Sequence, residues 1–296
     1  MKILSDSVLV LLALLLLFTS CFSNTALAQN KKAVEQNRNP QLVRTIIRHE
    51  ARRFAYGGTL TLVGAPQGSI TVEAWPNTEV DISAEIQLRA DTEADLDLLA
   101  AVNGFVLDDD ANHIRVLSTG THDKVYMRTA KKFPKALLGL PWKIDYRIRV
   151  PISTDLEIDA GRGPISLTGV EGNIRLSAAE SETNLSLSGG SLAAVVGIGK
   201  VTLNIPSRSW RHGGADIRVA AGDITVELPS GFNGDLDASI LRIGRIDNSY
   251  DGLEARERPG LTPQNIKGRS GAGGALLKLT VADGLINIRK AVMSNE

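Results

Sequence analysis

The chain has little of several things. It holds one cysteine in 296 residues, aromatic side chains make up 4% of it, and neither sign of charge is in excess. One thiol excludes a disulfide framework within the chain, so the fold must rest on a packed core. Lys plus Arg at 33 against Asp plus Glu at 33 leaves no net field to gather a polyanion, which argues against nucleic acid as a partner. Apolar runs of membrane-spanning length are missing beyond the N-terminus, and a hydrophobic share of 43% is too high for a disordered chain. Catalytic signatures are absent as well. There is no Gly-x-Ser-x-Gly, and the four His, at 49, 113, 122 and 212, include no helix-borne pair. His113 and His122 lie near Asp108, Asp109, Asp110 and Asp123, but these read as solvated polar turns, so no metal and no cofactor are expected. Gly268 to Gly274 lacks the Gly-Lys-Ser/Thr ending of a phosphate loop and reads as a flexible linker.

What is present begins with an address. Lys2 precedes an unbroken apolar run from Val8 to Phe18, and Ala26-Leu27-Ala28 follows, so residues 1–28 read as a secretory signal peptide. The run is too short to span a bilayer. Phe18-Thr19-Ser20-Cys21 resembles a bacterial lipoprotein signal, so lipidation at Cys21 is the alternative processing and the only predicted membrane link. The protein is expected to be exported, in the periplasm, on the cell surface or secreted.

Residues 29–56 are polar and basic, with Lys31, Lys32, Arg38, Arg44, Arg48, Arg52 and Arg53, and read as a solvated tether with one short helix near Leu42 to Arg52. Residues 57–150 form a β-rich segment. Period-two alternation predicts strands at Thr59 to Val63, Ser69 to Glu73 and Val80 to Leu88. Thr92 to Val102 is the helix candidate, with Asp91, Glu93 and Asp95 at its start and Gly104 as its C-cap. Phe105 to Leu107 and His113 to Leu117 predict a hairpin. Thr119 to Trp142 is predicted to be a loop with a short amphipathic turn, folded back on the core.

From 151 to 290 the phrase Gly-x-Ile-x-Leu recurs. It starts at Gly163, Gly172, Gly190, Gly199, Gly222, Gly234, Gly274 and Gly284, with a fainter copy from Glu182. So short a unit cannot bury a core alone and must stack on its neighbours. The pattern predicts an all-β fold, a right-handed β-helix or β-solenoid of short Gly-x-Ile-x-Val repeats with a β-rich N-terminal part. A stacked sandwich is the competing topology. Ser209-Trp210-Arg211-His212-Gly213-Gly214 interrupts the repeat, and Trp210, Arg211 and His212 are the candidate ligand-binding residues, since Trp beside Arg can stack on and hydrogen-bond a sugar.

The ordered phrases Gly68 to Trp75, the acidic helix, Ile144 to Pro151, Gly222 to Pro229 and Gly284 to Ile288 resemble the bacterial putative-adhesin family of β-helical domains, over about residues 57 to 290. The chain departs from that pattern at Glu182, where Gly is missing, and in the insertion from Asn248 to Gly271. The resemblance implies a β-helical fold at the cell envelope. The expected function is a non-catalytic structural or adhesin-like interaction module, with envelope or extracellular polysaccharide or surface proteins as partners. The alternatives are a polysaccharide-active enzyme and a lipid-anchored accessory factor in envelope assembly.

Overall fold

The computed structural model describes residues 42–291 apart from 111, 131 and 259; the expected leader, Cys21 and the first part of the tether lie outside them. In chain order the strands are β1 (Leu42–Arg53), β2 (Thr59–Val63), β3 (Ile70–Trp75), β4 (Glu79–Ala90), then helix α1 (Glu93–Val102), β5 (Gly104–Asp109), β6 (His113–Thr119) and β7 (Trp142–Pro151). There follow β8 (Asp155–Arg162), β9 (Ile165–Thr168), β10 (Asn173–Ser186), β11 (Gly189–Asn204), β12 (Arg211–Leu228), β13 (Gly234–Asn248), β14 (Leu253–Ala255), β15 (Asn265–Ser270) and β16 (Leu276–Lys290). All belong to one open hydrogen-bonded sheet, so the fold is all-β with a single α-helix among the described residues.

Five long parallel strands organise it, and each serves two ladders. The first half of β10 pairs with β8, whereas its second half pairs with β9. Beyond β8 the first ladder continues through β2, β6 and β5; beyond β9 the second continues through β3, β7, β4 and β1. Ile174 stands opposite Leu156 and Leu192, each 18 residues away in sequence, while Leu192 stands opposite Ala215, 23 residues on. The longer step holds the Trp210 loop. Each long strand therefore takes two phrases, as in β10, where the phrase from Gly172 lies on the first face and the fainter copy from Glu182 on the second.

The core follows from alternation. On the second face Ile165, Val201, Ile224 and Ile286 share one buried row, in register from strand to strand. Thr183 interrupts it, fully buried, and its hydroxyl donates to Ser181 Oγ at 2.9 Å. Each fully buried aliphatic side chain contributes about 2 kcal/mol. Glycine is required where the long strands bend between faces. Gly222 has φ +135°, and a Cβ there would lie 1.8 Å from the Gly199 carbonyl oxygen. Gly199 and Gly284 occupy the same register position, and Ser181 takes it in β10. The missing glycine thus belongs at Ser181, one residue before Glu182.

Strand order departs from chain order at one place. β16 lies between β12 and β13, parallel to both, so the C-terminal strand fills a slot that the chain has left open. Here the phrase from Gly274 slips by one residue: Leu277 faces inward, fully buried, and Leu276 is exposed.

Several expectations are corrected. The short helix near Leu42 to Arg52 is instead strand β1, antiparallel to β4 along its whole length. Arg44, Arg48 and Arg52 lie four residues apart, a spacing that fits one helix face and one strand face equally. The tie is broken by Val43, Thr45, Ile46 and Ile47, whose branched side chains favour strand. Those arginines reach the neighbouring elements: Arg44 pairs with Glu93 and Asp97 on α1, both at 2.6 Å, and Arg48 donates to the Phe105 carbonyl at 2.7 Å. The helix forms where expected, with Thr92 as its N-cap, but its C-cap is Asn103, not Gly104. Buried Asn103 donates to the Leu99 carbonyl and accepts from the Thr121 N–H, tying the helix end to the following loop. That loop folds back, with Leu137 buried and Phe133 and Leu140 against the core. The insertion from Asn248 to Gly271 holds β14 and β15, antiparallel to each other, and β15 runs antiparallel to β13; the stretch read as a flexible linker begins inside β15.

Candidate binding face

The side chains between the buried positions point outward, and the two faces differ in what they carry. In the Gly-x-Ile-x-Leu phrase the fourth residue is outward. On the second face it is Ser166, Thr202, Thr225 and Asn287, joined in register by Thr71 on β3 and Asn184 on β10. Two residues on lies a second row with Thr168, Ser186 and Asn204, continued by Glu227 and Arg289, which pair with each other. Parallel strands about 4.8 Å apart thus present a grid of hydroxyls and amides.

At one end the grid opens into a basin of about 530 Å³ on β1, β4, β7 and β3. Arg147 stands in register between Thr71 and Ser83 and makes no ion pair with another described residue. Beside it Asp81, almost buried, accepts from His49 Nε2 at 2.5 Å and from Arg149. Burial alone would raise the Asp81 pKa, but the hydrogen bonds from Arg149 and His49 outweigh it and hold the carboxyl below its usual range. The Arg149 guanidinium lies 4.3 Å from the centre of the Trp75 ring, whose N–H donates to the Glu79 carbonyl. The chemistry available is hydrogen bonding and one unpaired cation.

The first face is satisfied by its own charges. Arg175 pairs with Glu157 at 2.9 Å, Arg218 with Asp216 at 2.6 Å, Arg256 with Asp237 at 2.6 Å and Arg269 with Asp235 at 2.8 Å. A trough of about 480 Å³ crosses it where Ser191, Ala193 and Gly214 keep the surface low.

The residues singled out in the sequence lie elsewhere. Trp210 is buried in the core, 5% exposed, and its indole N–H donates to the Gly190 carbonyl at 2.8 Å, so its ring offers no stacking surface. Arg211 pairs with Glu171 and donates to Ser188 Oγ at 2.9 Å, while exposed His212 takes a left-handed conformation, φ +59°, in the bulge opposite Gly190. His113 Nε2 lies 2.8 Å from Thr61 Oγ1, and His122, its pKa lowered by burial, packs on Trp142. No group of three potential metal ligands occurs among the described residues. The grid escaped notice because its residues are neither charged nor aromatic. Its signal was in the repeat: the fourth position is Ser, Thr or Asn in the second-face phrases, but Arg175, Ala193 and Asp237 in the first-face ones.

No protein-family model and no curated protein matches the chain. Solved structures do. A structure described as a putative cell adhesion protein from Clostridium sporogenes is similar at 14% identity with a TM-score of 0.40, covering 83% of this chain and all of that one. Another, described as a putative adhesin from Bacteroides fragilis, is similar at 11% identity with a TM-score of 0.28, covering 83% of this chain and 97% of that one.

Proposed function

We propose that the protein is an exported, non-catalytic, adhesin-like interaction module of the bacterial cell envelope, built as a β-solenoid whose second outer face is the binding surface. The solenoid reading is supported by the rows of long parallel strands that bend at stacked glycines and by the 18-residue step between neighbours. One observation carries the functional reading: at the centre of the second face the outward side chains of β9, β10 and β11 are all hydroxyls and amides, whereas Arg–carboxylate pairs recur across the first. A flat, regular surface of this kind gains affinity through many weak contacts. Export rests on the leader at residues 1–28.

The reading is tested by co-sedimentation of the purified protein with isolated envelope polysaccharide and peptidoglycan. A Thr202→Cys variant coupled to a bulky maleimide blocks the second face. Saturable retention that the block abolishes is expected. Retention unaffected by the block would overturn the assignment of the face.

A further inference from the structure

Resting on that reading, we infer that the occupant of the grid is a linear, uncharged polysaccharide lying across the strands, with successive sugars contacting successive strands. Three observations point to this chemistry. The middle of the grid is neutral: Ser166, Asn184 and Thr202 in one row and their neighbours two residues on are all hydroxyls or amides, which donate and accept as sugar hydroxyls do. The strands repeat at about 4.8 Å, close to the length of one pyranose residue, so a polymer of sugars meets equivalent groups at each step. An extended peptide added along a strand would need an unpaired sheet edge, whereas the strands carrying the grid are hydrogen-bonded on both sides.

Each contact is weak, on the order of 1 kcal/mol, which gives the inference a signature in chain length. Affinity for neutral oligosaccharides should rise with each added sugar until the chain spans the grid, then level off, and physiological salt should leave it unchanged, because no charge is neutralised. The experiment is calorimetric titration of the purified protein with a size series of neutral β-1,4-linked oligosaccharides and with oligogalacturonides of matched length. Asn184→Ala combined with Thr202→Val should weaken binding of the long neutral members roughly tenfold, while Arg175→Ala on the first face should have no effect. Tighter binding of the acidic series, or affinity that does not grow with length, would overturn the inference. If the protein is retained by isolated envelopes through the second face but binds no neutral oligosaccharide, the ligand class is wrong and the interaction reading stands.

Discussion

The two outer faces are made by the same strands yet solve their surface chemistry differently. The first face is laced with Arg–carboxylate pairs, such as Arg175 with Glu157 and Arg269 with Asp235. The second has a central block of hydroxyls and amides on β9, β10 and β11, flanked by ion pairs such as Glu227 with Arg289 and Asp81 with Arg149. Both share one buried cluster, to which the first half of β10 contributes Ile174 and Leu176, its second half Leu185, and the residue after its end Leu187. The inward positions are thus fixed by packing, and the outward ones are left to divide the labour.

The comparison requires that the faces fold together, and the largest effect tests that. A chain ending at Ser270 lacks β16 and leaves β12 and β13 without their shared neighbour; it should show no cooperative thermal transition by circular dichroism. Gly222→Val acts at the bend that joins the faces, where even a Cβ would meet the Gly199 carbonyl. It should cost about 4 kcal/mol or more, measured by denaturant unfolding as one transition; two separate transitions would show that the faces fold independently.

Next in size is Asp81→Asn, at the basin. The Asp81 carboxyl is held below its ordinary value, so its contribution is complete above the unfolded value near 4 and is lost as pH falls through the folded one. The variant should be about 1–2 kcal/mol less stable at neutral pH. That gap should close on acidification below about pH 4, read from unfolding curves across pH. A gap that is constant with pH would mean that the pairing with Arg149 and His49 is not the cause. The smallest effects lie on the faces themselves: Arg175→Ala should cost less than about 1 kcal/mol, and Thr202→Val should stay within about 0.5 kcal/mol.

The legible part of the fold was the part that repeats. Alternating Ile, Leu and Val showed the inward face of most strands, and Thr92 with Glu93 and Asp95 marked the helix start, because these depend on local periodicity and capping. The misread elements depend on distant neighbours. Strand β1 exists because β4 offers twelve partners, something a spacing of four between arginines does not reveal. β16 enters the slot between β12 and β13 through contacts 62 residues away at Ala215 and 41 at Leu236, so its register slipped when read from the local phrase. Trp210, singled out as a candidate ligand contact, is buried for a similar reason. Trp210 stands out in a sequence poor in aromatics, but a large apolar ring beside a bulge is most stable in the core. The grid is visible only once the fourth positions of alternate phrases are known to share a face.

The central claim is that binding resides on the second face. Its most direct test is envelope retention, at physiological salt, of two variants whose folding is first verified: Asn184→Arg, which puts a long charged side chain into the grid, and Arg175→Glu, which reverses a charge on the first face. Retention falling to background for Asn184→Arg and unchanged for Arg175→Glu is the predicted result; equal retention of the two would contradict it.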